Sequence, residues 1–191
     1  MTSSRTLAVS ALSILICACA NIKAPPPQPS MANVNSAKTM SSAVKLGPFK
    51  LRAGLSSSID ESISVRGANT LKPPSGSTFS GYLRDVLMTE LRAANKLDEA
   101  SHVAITGELT ASELDAGMST GTATLGARFA VTGAGGVCFD KELVATDQWD
   151  SSFVGAVAVP TAFNHYTALY AVLAGKLLAD PDFRQHCLTS Q

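Results

Sequence analysis

The chain reads as an α+β protein: a two-layer sandwich in which two helices cover one face of a mainly antiparallel, four- to five-stranded sheet, in the order β-α-β-β-β-α. Three observations carry that reading. Across residues 79–94, Phe79, Tyr82, Leu83, Val86, Leu87, Leu91 and Ala94 recur at three- and four-residue spacings, the stripe of a helix that buries one side. Residues 103–145 then alternate apolar and polar side chains in three successive runs, the period of half-buried strands. Helical spacing returns with Phe163, Tyr166, Leu169, Tyr170, Leu173, Leu177 and Leu178. A sheet with one greasy and one wet face is antiparallel in habit and takes its helices on the greasy side.

The first residues are set apart from this body. Residues 1–5 are polar with one cationic side chain, and residues 7–16 form an apolar run about half as long as a bilayer span requires, the length of a signal-peptide core. The order Ile16-Cys17-Ala18-Cys19 follows. It resembles the bacterial lipoprotein box, with an aliphatic residue three before the modified cysteine and a small one directly before it. Cys19 fits that box, whereas Cys17, preceded by the bulky Ile16, fits poorly. The resemblance implies that residues 1–18 are removed and that Cys19 receives a diacylglycerol thioether and an N-acyl chain, anchoring the protein in a lipid bilayer. Each buried methylene then contributes about 0.8 kcal/mol, so two or three chains hold firmly. Ala20, in place of an aspartate, implies by the same resemblance the periplasmic face of the outer membrane. An ordinary secretory signal with an incidental cysteine pair is the alternative.

Residues 19–45, rich in proline, serine, asparagine and alanine, lack apolar periodicity and read as a flexible tether behind the lipidated cysteine. Residues 46–191 then make one periplasmic domain of ordinary size. Its charge argues against nucleic acid as a partner: 15 Lys and Arg balance 15 Asp and Glu, with no basic footprint. Cys138 and Cys187 remain after processing, and an even number of thiols in an oxidising compartment suggests a disulfide. Two free thiols are the alternative.

Within the domain, residues 49–55 alternate without a fault and predict the first strand, while Ile59, Ile63 and Val65 suggest a weak one before the break at Pro73-Pro74. Ser77, Thr78 or Ser80 can cap the first helix, and Asn95 suits the left-handed position that ends it. Three strands follow. Val103, Ile105, Gly107 and Leu109 share a face of the first; Leu125, Ala127, Phe129 and Val131 share a face of the second. A turn at residues 133–136 leads to the third, marked by Val137, Phe139, Leu143 and Ala145, with Lys141 interrupting. Residues 153–159 are uncharged and closed by Pro160. They predict a buried edge strand or, if exposed, a contact patch for a partner or lipid through Phe153, Val154, Val157 and Val159. The second helix stops at Asp180, because a residue before proline is pushed out of the helical region.

Few constellations carry chemistry. Gly117-Met118-Ser119-Thr120-Gly121 matches the nucleophile elbow of serine hydrolases in letters, but that chemistry needs a strand-to-helix turn and the following residues alternate as a strand. A small periplasmic hydrolase using Ser119 is therefore the remotest of the readings. His102, His165 and His186 lie at no metal-ligand spacing, so neither a metal nor another cofactor is expected. Asp147 and Asp150 flank Trp149, and Asp180 and Asp182 flank Pro181, as solvated turn residues do. The polar sheet face, with Lys50, Arg52, Thr106, Glu108 and Arg128, is expected to be hydrated.

Taken together, the Cys19 box, the polar leader, the helix around Tyr82 to Arg92 ahead of a strand meander, and the closing helix ending at Pro181 resemble the small α+β outer-membrane lipoproteins of bacteria. The families in question are the lipopolysaccharide-assembly lipoprotein and the auxiliary lipoproteins of ABC-type lipid transport. The resemblance implies a non-enzymatic binding or assembly module in envelope biogenesis or transport, with an envelope protein as partner. Self-association through edge strands is the alternative.

Overall fold

The computed structural model describes residues 21–188 apart from residues 68 and 75. The architecture is α+β, with a long four-stranded sheet, a small three-stranded one, and helices on one side of the long sheet.

The long sheet has the order β2-β5-β6-β7, with β2 at Lys45–Leu51, β5 at Ala104–Ala116, β6 at Thr120–Gly133 and β7 at Gly136–Asp150. The three long strands form the expected antiparallel meander. β2, however, runs parallel to β5, so the sheet is mixed. Its pairing shifts between Leu46 and Phe49, and the displaced residues are Gly47 and Pro48. Proline offers no ladder donor and is tolerated on an edge or at a bulge, and this position is both. The first strand accordingly begins and ends earlier than residues 49–55.

Core-facing residues alternate as predicted through Ile105, Leu109, Leu125, Ala127, Phe129 and Val131, all buried, and Ala123 extends the row. Val137 is an exception, being 66% exposed. The pairing of β7 with β6 shifts at this point: Val131 opposes Phe139 while Thr132 opposes Val137, leaving Cys138 as the extra residue. A one-residue slip moves every side chain beyond it to the other face.

α3 at Phe79–Ala93 and α4 at Gly155–Ala179 lie together on the apolar face of the sheet. Thr78 caps α3, its side chain accepting from the Gly81 amide at 3.0 Å. Asn95 has φ of 58°, the left-handed exit its residue type foretells. α4 buries Phe163, Tyr166, Leu169, Tyr170, Leu173, Leu177 and Leu178, and ends at Asp180 as expected. Its start is a correction. Residues 153–159 do not form an edge strand: α4 begins at Gly155, and Pro160 sits inside it.

The N-terminal segment is the larger correction. From Asn21 onward it is folded, not a flexible tether. β1 at Asn21–Lys23 pairs in parallel with β4 at Asn69–Lys72, which pairs antiparallel with β3 at Ile63–Val65; the short helix α2 at Ser58–Glu61 leads into β3. α1 at Met31–Lys38 lies across both α3 and α4. A few side chains do the seating. Ala24, Val34, Ala37 and Met40 are buried. Asn33 donates from Nδ2 to Glu90 Oε1 at 3.0 Å and to the Ala171 carbonyl at 2.7 Å. A Cβ on Gly175 would stand 2.4 Å from Asn33 Oδ1, so the amide fits only because that helix position is glycine. Glu90, fully buried in α3, also accepts the Ser30 amide with both oxygens at 3.0 Å. Burial pushes its carboxyl above the usual carboxylate value, and the bonds from Ser30 and Asn33 pull the other way.

Candidate functional site

The sheet has two ends, and the side chains with chemistry to offer gather at them. At the first end lie the β5–β6 turn, the loop from β7 into α4, and the β3–β4 turn. Arg66, in that last turn, has φ of 47°, a left-handed conformation that costs a non-glycine residue about 1–2 kcal/mol. Its guanidinium offsets the cost with main-chain acceptors. Nε donates to the Ala116 carbonyl at 2.8 Å, Nη1 to Phe153 at 2.9 Å, and Nη2 to Gly117 at 2.9 Å and Ser152 at 2.6 Å. One planar fork thus ties three loops together. The Ser151 amide adds a bond to the Ser119 carbonyl at 2.9 Å.

With their carbonyls held, these loops turn apolar side chains outward. Phe153 is 74% exposed, Met118 70%, Val154 56% and Val157 54%. Val159 departs from the expected contact set: at 5% exposure it belongs to the core, because the helical turn carries it to the inner face. Helix α4 starts here on Val154 with no side-chain cap, where serine, threonine, aspartate or asparagine would be usual. Behind the patch, Trp149 lies over Gly121, its strand partner, where a Cβ would stand 2.2 Å from the indole. Beneath it, a chain of hydroxyls runs from Ser112 to Tyr166 at 2.7 Å and on to Tyr170 at 2.8 Å. Burial pushes the Tyr166 hydroxyl up to about 12 and Tyr170 well above its ordinary value. Asp60, buried nearby, accepts from the Ser80 amide at 2.6 Å and hydroxyl at 2.9 Å.

The other end, at the β6–β7 turn, is sealed by side chains. Cys138 and Cys187 form a disulfide, with Cα atoms 5.4 Å apart across 49 residues of chain. Lys141 pairs with Asp180 at 3.3 Å and with Asp182. The carboxyl of Asp182 is held below the usual range by its hydrogen bond and charge attraction to Lys141. Phe139 meets Phe183 edge to face, with ring centres 6.1 Å apart. Ser41 donates to the Leu188 carbonyl. His102 and His186 line one open concavity beside the disulfide, which sequence spacing does not reveal.

Between the ends, the uncovered sheet face carries a row of alternating charge. Lys50 opposes Glu108, Glu108 opposes Arg128, and Arg128 opposes Glu142 across all four strands. Arg128 forks onto Asp140 with two contacts of 2.6 Å, and Arg52 reaches Glu142 at 2.7 Å. Those partners hold Asp140 and Glu142 below the usual carboxylate range. Opposite charges directly across strands support a sheet modestly. The β7 edge is blunted as well. Lys176 donates to the Val144 carbonyl at 2.8 Å, and His165 stacks on Trp149 at 4.3 Å with Nδ1 2.7 Å from Asp147.

Cys19 lies outside the described residues. Ser119 sits exposed in the hairpin turn between β5 and β6, not at a strand-to-helix turn, so the elbow geometry is absent there. Among the described residues no three His, Cys, Asp or Glu side chains gather as a metal site, and no helix is long and apolar enough to cross a membrane. Sequence reasoning missed Arg66 and Met118. A lone arginine before Gly67 signals nothing until the turn that holds it is placed.

No family model matches the chain, and no curated protein matches it. Among solved structures, it is similar to XCC0632 of Xanthomonas campestris, assigned to DUF330. The TM-score there is 0.50 at 17% identity, over 83% of this chain and 91% of that one. A minor lipoprotein of Acinetobacter baumannii aligns with a TM-score of 0.46 at 12% identity, over 79% and 98% of the two chains. At 17% identity the likeness to the Xanthomonas protein concerns the fold alone.

Proposed function

We propose that the chain is a lipid-anchored lipoprotein of the bacterial envelope, held on the periplasmic face of the outer membrane through Cys19 and acting by contact in envelope biogenesis or transport. The observation that carries this reading is the Ile16-Cys17-Ala18-Cys19 box at the end of an apolar run, two residues before β1 begins at Asn21. The cut implied by the box would release a product whose third residue, Asn21, begins a folded element. A disulfide linking β7 to the C-terminal segment suits an oxidising compartment. The exposed apolar loops and the charge-paired sheet offer surfaces for recognition, and the hairpin setting of Ser119 gives no support to a hydrolase.

Mass spectrometry of the membrane-extracted protein tests the anchor. The expected N-terminal peptide starts at Cys19 and carries a thioether-linked diacylglycerol; a mature chain starting elsewhere, or an unmodified Cys19, would sink the reading. Density fractionation then assigns the membrane. Crosslinking in intact membranes, followed by purification, should capture an envelope protein, and recovery of the monomer alone would count against a contact role.

A further inference from the structure

We propose that Met118, Phe153, Val154 and Val157 seat the domain directly on the bilayer that holds the acyl chains of Cys19, making the anchor and the patch one membrane-binding face. This inference rests on the lipoprotein reading above and specifies how that lipoprotein sits.

Chain geometry supplies the first argument. β1 runs parallel to β4, and β4 leaves the β3–β4 turn at Asn69. The chain therefore enters β1 from the side of that turn, which is where Arg66 clamps the apolar loops. Asn21 opposes Thr70, and Thr70 opposes Ser64, two residues before Arg66. Two strand spacings amount to about 10 Å. Two residues of extended chain from Cys19 to Asn21 add at most about 7 Å. An acylated Cys19 thus has no length of chain with which to hold this end away from lipid.

Surface chemistry supplies the second. The four side chains are uncharged, lie on neighbouring loops and the first turn of α4, and are turned outward. Loops entering the apolar margin of a bilayer are penalised for every bare main-chain carbonyl. Arg66 already occupies the carbonyls of Ala116, Gly117, Ser152 and Phe153, the acceptors such an insertion would strip of water. The opposite end of the sheet presents a glycine-rich turn and paired charges.

The test uses the full mature protein, reconstituted into phosphatidylcholine vesicles with and without brominated acyl chains. Tryptophan is introduced by Phe153→Trp at the patch and by Val137→Trp at the far end, and the signal of the single native Trp149 is subtracted. The F153W emission should shift to the blue and lose most of its intensity to bromine, while V137W does neither. Met118→Trp repeats the patch measurement should F153W fold poorly. Patch emission quenched no more than V137W overturns the inference. So does a blue shift without bromine quenching that grows with protein density, which would mean that a second copy covers the patch. The N-terminal mass of the same sample separates the two levels. An acylated Cys19 with an unquenched patch removes this inference alone, whereas an unacylated Cys19 removes the lipoprotein reading with it.

Discussion

The two ends of the long sheet close in opposite ways. At the β6–β7 end the closure consumes side chains: a disulfide, a lysine between two aspartates, and a pair of phenylalanines. At the β5–β6 end it consumes main-chain carbonyls, gathered by Arg66, and leaves the Phe153 ring and its neighbours Met118 and Val154 turned outward. A loop tied by its backbone can display whatever side chains a contact requires without unravelling. A loop tied by its side chains has little left to display. That difference is why the apolar end, and not the covalently sealed one, is the place to look for recognition.

The sealed end should yield the largest effect. Replacing both Cys138 and Cys187 by serine should cost about 4 kcal/mol by the chain-entropy account of a loop this long, read as a lower urea midpoint. A loss under about 1 kcal/mol would mean that the ionic and aromatic contacts seal that end unaided. The segment running from one end to the other comes next. Glu90→Ala leaves the Ser30 amide without its acceptor and Asn33 Nδ2 with only the Ala171 carbonyl, and should destabilise by about 2–3 kcal/mol, with early loss of protection in α1 by hydrogen exchange. Glu90→Gln should be milder and should alter the pH response. Because burial raises the carboxyl above 4.5, its contribution is full below that pH and is lost as pH rises through the higher folded value, and the amide has no such dependence.

Arg66→Ala should cost about 2 kcal/mol, concentrated in the loops it ties. Arg66→Lys should recover only part, since an ammonium cannot span three donor nitrogens. The hydroxyl chain beneath the apolar end offers a gentler probe. Burial raises all three tyrosines, Tyr166 to about 12, so phenolate absorbance at 295 nm should stay low in the folded protein through pH 10 and rise above it. The stability these groups contribute is full below 10 and is lost as pH climbs through the folded values. The surface acids behave in the reverse sense: for Asp140 and Glu142 the contribution is present above the unfolded values of 3.8 and 4.5 and disappears as pH falls through the lower folded ones. The smallest effect is also the sharpest statement about the patch. Phe153→Ser should change stability by less than about 0.5 kcal/mol, and a large loss would mean that the ring supports the fold and is not reserved for contact.

Legibility in the sequence followed a physical rule. The helix of residues 79–93, its Thr78 cap and its Asn95 exit were readable because periodicity and capping are set by neighbours three or four residues away. The meander was readable for the same reason, until a single bulge at Cys138 moved Val137 to the wet face. The apolar run at 153–159 was ambiguous because so short a stretch satisfies strand and helix alike. Half of the predicted contact patch thus turned on where α4 began.

Other features had no local signature. The proline- and serine-rich leader looks unable to fold, and alone it buries little; it is ordered because Glu90, 57 residues from Asn33, waits in a groove between two helices that glycine at 175 keeps open. The parallel placement of β2 and the meeting of Arg66 with two other loops are equally non-local, whereas the Cys138–Cys187 disulfide was foretold by the even count of thiols left after processing. Residue order alone established the apolar leader run with its Cys19 box, the helix and strand periods, and the balance of charge. Which end of the body is sealed and which displays apolar side chains, and that both the leader and Arg66 lead to the latter, followed from packing, because those contacts join residues whose separation along the chain carries no information about their separation in space.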